Sequence, residues 1–335
     1  MNIFITGVAG FLGSHLAEEC INKGHKVYGN DNLIGGYKDN IPKEVNFSNI
    51  DCNNFEKINE LFNQYNIDVL YHCAATAYEG LSVVSPNFVT KNIFQASVSV
   101  FSAAINNKVK RIIFCSSMAR YGDIDPPYTE DSDPNPVDPY GIAKLAAEKV
   151  LISLCKLNQV EWVIAVPHNI VGPKQKYDDP YRNVMSIIIH KMLKKENPII
   201  YGDGNQKRCF SFVKDCISPL YKMMTNLEAN NQIINIGPDE GTITINELVD
   251  LCANHLGYNG KSIYVKDRPL EVKNSFCSSD KVRRLLDYKT TTKIEKAIEE
   301  TAKYIKKKGI KDFDYNINIE IDNSLTPKTW KNKII

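Results

Sequence analysis

The chain opens Asn2-Ile-Phe-Ile-Thr6-Gly7-Val-Ala-Gly10-Phe-Leu-Gly13. Asn2 to Thr6 is a short apolar run with the length of a buried strand. Three glycines spaced three apart follow at once, and a helical pattern runs from Ser14 to Lys23. A strand that turns through glycines into a helix N-terminus makes a site for a pyrophosphate. Glycine lets the backbone approach the phosphates, and the helix end offers free N–H groups and partial positive charge. The spacing is Gly-x-x-Gly-x-x-Gly, not the commoner Gly-x-Gly-x-x-Gly, so the place of the glycines after the first strand carries the reading.

Outward from this turn, strands and helices alternate. Lys26–Asn30 is a second strand, with Asp31 and Asn32 at its end. A carboxylate there accepts bonds from both ribose hydroxyls of adenosine and repels a 2′-phosphate, which favours NAD over NADP. Val45–Ile50 is a third strand followed by Asp51-Cys52, an acid placed to reach the adenine amino group. Asn54–Gln64 is a helix, and Asp68–Cys73 a fourth strand. Ala74-Ala75 after it are small enough to pass close under a cofactor. Pro86–Asn107 is mostly helix and carries Asn92. Arg111–Cys115 is the fifth strand, Gly122–Pro139 a Pro- and Asp-rich loop, Pro139–Leu157 a long helix and Val160–Val166 the sixth strand. This alternation predicts an α/β fold, a doubly wound parallel (Rossmann) sheet over residues 1–170.

After Pro167-His-Asn169 the alternation loosens. Helices are expected over Arg182–Lys195, from Asp215, from the capping box Thr244-x-x-Glu247 to Leu256, over Ser279–Leu286 and over Lys293–Lys307. Strands are expected within Pro198–Gly204, Cys209–Val213, Ile233–Ile236 and Ser262–Val265. Residues 171–310 read as a smaller α/β substrate lobe with strand and helix returns to the first domain, and 311–335 as a polar tail without period. Arg182, Lys207, Arg208 and Arg268 stand in loops of this half. Arginines converging from separate loops can clamp a diphosphate bidentately.

Composition bounds the function. Of 335 residues 43% are hydrophobic, enough for a full core, and a net charge of +2 gives no reason to expect nucleic acid or a membrane surface. No apolar run approaches the ~20 residues that span a bilayer. The nine cysteines form no Cys-x-x-Cys pair, and several sit in apolar strand patterns. They read as reduced core residues of a cytoplasmic protein, with no metal.

The candidate chemistry lies in Phe114-Cys-Ser116-Ser117-Met118-Ala-Arg-Tyr-Gly122 and Tyr140-Gly-Ile-Ala-Lys144. Tyr140 and Lys144 are four apart and share one helix face. The ammonium favours the phenolate, so Tyr140 is expected to give or take a proton near neutral pH. Ser117, at the strand end, can hydrogen-bond the same substrate oxygen.

These residues resemble the extended short-chain dehydrogenase/reductases, and within them the sugar-nucleotide 4-epimerases of the UDP-glucose 4-epimerase type. The likeness runs from Met1 to about Lys308. It rests on Gly7-x-x-Gly10-x-x-Gly13, Asp31, His72-x-Ala-Ala75, Asn92, Ser116-Ser117, Tyr121-Gly122, Tyr140-x-x-x-Lys144, Asn169-x-x-Gly-Pro173, Gly202-Asp-Gly204, Arg208 and Arg268-Pro269. The resemblance implies that NAD is held by Gly7, Gly10, Phe11, Leu12, Gly13, Asp31, Asn32, Asp51, Cys52, Ala74, Ala75, Asn92, Ser116, Tyr140, Lys144 and Pro167. It implies a UDP-sugar held by Tyr78, Ser117, Met118, Asn169, Val184, Tyr201, Arg208, Arg268, Glu271 and Ser275. Tyr140 would take the proton of the sugar O4 as C4 gives a hydride to NAD, Ser117 would bond that oxygen, and Lys144 would lower the Tyr140 pKa. The expected reaction is 4-epimerisation of a UDP-hexose or UDP-N-acetylhexosamine through a 4-keto intermediate.

Homodimerisation through the helices at about 88–107 and 139–157 is a family habit. The alternatives are a 4,6-dehydratase, decarboxylase or reductase of the same fold, or a non-catalytic NAD-binding regulator, against which the intact Ser117, Tyr140 and Lys144 argue. Met118 and Ala119 stand where resembling dehydratases carry Asp and Glu. Ser275 stands where a bulky residue would exclude a 2-acetamido group. Phe88, Arg120 and Tyr78-Glu-Gly80 depart from the family pattern and leave the sugar open.

Overall fold

The computed structural model describes all 335 residues. Seven strands form one parallel sheet: β1 (Asn2–Thr6), β2 (Lys26–Asn30), β3 (Asn46–Ser48), β4 (Val69–His72), β5 (Arg111–Cys115), β6 (Glu161–Pro167) and β7 (Gln232–Ile236). Their spatial order is β7-β6-β5-β4-β1-β2-β3. The order reverses between β1 and β4, and the crevice at such a switch is where a doubly wound sheet takes its ligand. β7 comes from the second half of the chain and pairs in parallel with β6.

The strands bury both faces, as a parallel sheet covered by helices must. Ile3, Ile5, Tyr71, Ile113 and Val163 enter one core. Their neighbours Phe4, Leu70, Ile112, Phe114 and Ile164 enter the other, following the two-residue period of a strand. The helices α1 (Phe11–Asn22), α2 (Phe55–Tyr65) and α4 (Pro139–Asn158) flank the sheet. Helix α3 runs unbroken from Pro86 to Asn106 and contains a π turn at Lys91–Gln95. Such single π turns gather at functional sites, and this one carries Asn92.

Two boundaries differ from the sequence reading with consequences for the site. Helix α1 starts at Phe11, not Ser14, because extended Gly10 is its N-cap. Phe11 to Gly13 are therefore its first turn, whose N–H groups have no partner within the helix. β3 shrinks to three residues because it is the sheet edge, and the chain turns off at Asp51.

In the second half, α5 (Val184–Leu193), α6 (Val213–Lys222), α7 (Ile245–Leu256), α8 (Asp280–Leu286) and α9 (Ile294–Lys308) form as expected within a few residues. The Thr244/Glu247 capping box is complete. The single strand expected at Cys209–Val213 is instead two, Lys207–Arg208 and Ser211–Phe212. They belong to different small sheets, one beside Ile243–Thr244 and Asn274–Ser275, the other beside Ile170–Val171. Residues 311–335 do not trail away. Trp330 and Ile335 are buried among Tyr78, Tyr140, Tyr181 and their neighbours. All nine cysteines are unpaired, and no helix is long and apolar enough to cross a membrane.

Arg120, where the family has a small residue, is accommodated by a buried ion pair. Its Nε lies 3.0 Å from both oxygens of Glu148, and both side chains are almost inaccessible. Burial raises the Glu148 carboxyl, with Arg120 and the Ser116 hydroxyl pulling it back down. Removing one member of such a pair leaves a buried charge alone, at roughly 3–5 kcal/mol. Arg120→Met should therefore lower denaturant-measured stability by about that amount, and Arg120→Met with Glu148→Leu should recover most of it. Equal stability of the single and double variants would show that the pair does not tie the turn at Met118–Arg120 to α4.

Candidate active site

One cavity of about 440 Å³ runs along the C-terminal edge of the sheet, between the Rossmann domain and the second half of the chain. The glycine turn forms one end. Gly7 has φ +70°, and a Cβ there would lie 2.8 Å from the Ala74 Cα, so only glycine lets the turn after β1 pass the end of β4. Asp31 is buried beside it. Its carboxylate accepts from the Ala9 N–H at 3.0 Å and the Leu33 N–H at 2.7 Å, which leaves acceptor capacity for a vicinal diol. Burial nevertheless raises its pKa, outweighing these bonds and the charge of Arg182.

Asp51 accepts from Asn32 at 2.9 Å and from the Asn53 backbone at 2.7 Å. Burial would raise its pKa, but these bonds hold it below the usual range. Behind the wall, Thr6 Oγ1, His72 and Ser97 form a buried chain, with contacts of 2.7 and 2.9 Å. Burial takes His72 down to about 3, so it is a neutral structural link.

The middle of the cavity holds Ser117, Tyr140 and Lys144. Asp138 caps α4 by accepting from the Gly141 N–H at 2.9 Å, which fixes where Tyr140 enters the cavity. Lys144 Nζ donates to the Cys115 carbonyl at 2.7 Å. Burial lowers this ammonium to about 8, against the pull of Cys115, Cys73 and Glu148. In the protein alone desolvation outweighs any lowering of Tyr140 by the neighbouring ammonium. Burial pushes the phenol up, Glu79 and Asp138 add to the rise, and the Ser117 hydroxyl and Arg182 oppose it. The protein by itself therefore holds Tyr140 as a protonated acid at neutral pH. Sequence alone does not weigh the neighbouring charge against desolvation.

The far end is built from side chains. Arg268 makes a two-pronged pair with Glu271, at 3.1 and 2.9 Å. Arg208 Nη2 comes to 3.9 Å of the same carboxylate. Two of the four loop cations thus converge. Arg182 lines the cavity nearer the glycine turn, paired with Asp179 at 3.2 Å. Lys207 points away, because adjacent residues of a strand face opposite sides.

Asp51, Cys52, Asn92, Ser116, Pro167, Asn169, Val184 and Tyr201 line the main cavity as expected. Met118 and Ser275 instead line a smaller adjoining pocket, together with Ser117, Asn169 and Arg208. Tyr78 is a correction. It is buried and donates to Asp179 at 2.6 Å beneath Arg182, and the residue that faces the cavity is Glu79. The Glu79 carboxyl opens onto the cavity but is otherwise surrounded by protein. It has no hydrogen-bond partner, and burial with Asp138 nearby raises it to about 7. Trp330 and Ile335 were also missed as cavity wall.

A model of the NAD dependent epimerase/dehydratase family matches residues 3–237. The chain belongs to this family. It is 32% identical over 308 residues to a putative UDP-glucose 4-epimerase of Methanocaldococcus jannaschii, covering 91% of this chain and 98% of that one. It is similar to a crystal structure of the UDP-glucose 4-epimerase of Thermotoga maritima with UDP-glucose, at TM-score 0.86 and 29% identity over 92% of this chain and 99% of that chain. It is also similar to the Thermus thermophilus UDP-glucose 4-epimerase in complex with NAD, at TM-score 0.85 and 26% identity over 91% and 98%. The residues of this family member fit NAD. A Cβ at Gly10 would press to 3.0 Å on the Gly7 carbonyl, so the turn closes without a side chain, and Gly7, Gly10, the first turn of α1 and Asp31 line the cavity together, as a pyrophosphate and its adenosine ribose require.

Lys144 generates a pH-dependent stability. The folded lysine loses its proton near pH 8 and the unfolded one near ~10.4. Between these values the unfolded chain binds more protons, so stability rises with pH there. Lys144→Met removes a buried charge. The cofactor-free variant should melt higher than wild type at about pH 7, and the gap should narrow toward about pH 9.5. A lower melting temperature at neutral pH, or a constant gap, would contradict the buried-ammonium reading.

Proposed function

We infer that this chain catalyses NAD-dependent 4-epimerisation of a UDP-sugar. The observation that carries this reading is the position of Ser117, Tyr140 and Lys144 midway along one cavity, between a dinucleotide turn with Asp31 and the Arg208–Glu271–Arg268 cluster. Bound NAD would supply reversible hydride chemistry at C4 of the sugar, with no net oxidation. Gly7, Gly10 and the α1 first turn would hold its pyrophosphate, Asp31 its adenosine ribose, and Lys144 its nicotinamide ribose. Tyr140 moves the proton on the sugar O4, and Ser117 holds that oxygen in line. Arg208 and Arg268 hold the diphosphate, to which Glu271 yields part of its pairing, and Asn169 holds the nucleotide.

The epimerase reading is preferred to dehydration because Met118 and Ala119 carry no transferable proton. Ser275 borders the small pocket beside Ser117, which supports a reading in which the site admits a 2-acetamido group. The protein works as a homodimer through α3 and α4, which leave Phe94, Ile142 and Leu157 exposed. Its nine unpaired cysteines suit the cytoplasm.

The test is incubation of the NAD-loaded protein with UDP-glucose, UDP-N-acetylglucosamine and UDP-glucuronate, with the 4-epimers separated. At least one of these sugars should be converted to its 4-epimer, and no 4-keto-6-deoxy product should accumulate. Tyr140→Phe should lose ~10²–10⁴-fold in kcat while still binding UDP-sugar. No conversion of any sugar, or a Tyr140→Phe variant near the wild-type rate, would refute the reading.

Ser275→Tyr should depress kcat/KM on UDP-N-acetylglucosamine far more than on UDP-glucose, because the ring fills the small pocket. An equal effect on both sugars would remove Ser275 as the determinant.

A further inference from the structure

Residues 311–335 lie beyond the stretch that resembles the family, yet they touch both sides of the cleft in order. The segment leaves the second half of the chain with Phe313 edge-on to His190, ring centres 4.7 Å apart, and with the Asp314 N–H donating to the Asp178 carbonyl at 2.7 Å. It then crosses to the Rossmann domain. Ser85 donates to the Asn318 carbonyl at 2.9 Å, and the Glu320 carboxylate accepts from the Asn87 and Phe88 N–H groups at 2.8 and 2.7 Å. Glu320 thereby supplies the negative charge favoured at the N-terminus of α3. The Glu320 and Ile321 N–H groups both bond the Val84 carbonyl.

The segment finally returns to the substrate half. Thr329 and Tyr201 share a hydrogen bond of 2.6 Å, and the Trp330 ring meets Tyr181 edge-on at 5.3 Å. Trp330 is only 3% exposed and lines the cavity. A Cβ built on Gly80 would lie 3.3 Å from the tip of Trp330 and 3.4 Å from Arg268. Trp330 therefore sits where the turn after β4 meets the arginine that stacks on Tyr201 at 4.9 Å.

We propose that residues 313–335 form a strap that completes the substrate end of the active site, with Thr329 and Trp330 as positioning residues. Thr329 and Trp330 hold Tyr201, and through it Arg268, against the bound sugar diphosphate. Trp330 also closes that end of the cavity, so a 4-keto sugar is retained until the hydride returns. The strap rests on the epimerase reading above.

The experiment uses the full-length NAD-loaded protein and the variants Trp330→Ala, Trp330→Phe and Thr329→Val. It measures bound NAD per chain, UDP affinity by calorimetry, KM and kcat on the best UDP-sugar, and absorbance at 340 nm during turnover. NAD content should stay at the wild-type level in all variants. Trp330→Ala should raise KM and the Kd for UDP about tenfold or more. It should also accumulate reduced cofactor, because a ketone that escapes leaves its hydride behind. Trp330→Phe should fall between, and Thr329→Val, which keeps its volume, should raise KM severalfold. A general loss of stability would not leave reduced cofactor on folded protein. If Trp330→Ala does not fold, Thr329→Val decides. Wild-type KM in Thr329→Val, or a soluble Trp330→Ala with wild-type KM and no reduced cofactor, overturns the strap. If wild type neither binds UDP nor converts any sugar, the epimerase reading fails and the strap falls with it.

Discussion

The constraint on which the site depends is an ammonium group placed where water cannot reach it. Lys144 is 2% exposed, and its Nζ donates to the last carbonyl of β5. Desolvation works against this charge, and the fold answers by surrounding it. The Cys115 carbonyl stands at one side, Glu148 lies one helical turn further on, and Arg120 then neutralises Glu148. The carboxylate that pairs with Arg120 is thus also a counter-charge for the lysine above it. Tyr140 sits one turn earlier on the same helix and is buried with it. A phenol raised in this way is a proton donor in the resting protein. A positive charge arriving with the cofactor is what such a site needs to make the same phenol a base.

Much of this was legible because it rests on periodicity and close backbone approach. The alternation of strands and helices, the glycine turn, and Asp31 at the end of β2 are local signals, and the sheet order makes them neighbours. Helix α4 could be read because Tyr140 and Lys144 need only its 3.6-residue period to share a face.

What escaped depends on phase or on distance. Between β4 and α3 the backbone has no period, so nothing local says that Tyr78 turns into the core and Glu79 into the cavity. The division of labour between Lys207 and Arg208 is set by a two-residue strand whose register comes from Asn274–Ser275, far along the chain. The strap was unreadable for a related reason. Its contacts fall at Phe313, Asn318, Glu320, Thr329 and Trp330, spacings that match no helix or strand. A segment that docks by isolated side chains on surfaces made elsewhere carries no pattern of its own.

The two ends of the cavity are held by different means, and this bears on what stays and what leaves. The dinucleotide end is mainly backbone: the Gly7 turn, the first turn of α1 and the bonds that Asp31 makes to Ala9 and Leu33. It is anchored to β1 and β2 in the middle of a buried sheet, so loosening it requires opening the core. The opposite end is made of Arg208, Arg268, Glu271, Tyr201 and the strap, drawn from separate loops and joined through side chains. Opening there breaks a few local contacts and leaves the sheet intact. A reaction that returns its hydride needs a resident cofactor and an exchanging sugar nucleotide. The rigid end suits the resident and the side-chain end the visitor, which is why the residues that bear on turnover extend to Trp330, in the last stretch of the chain.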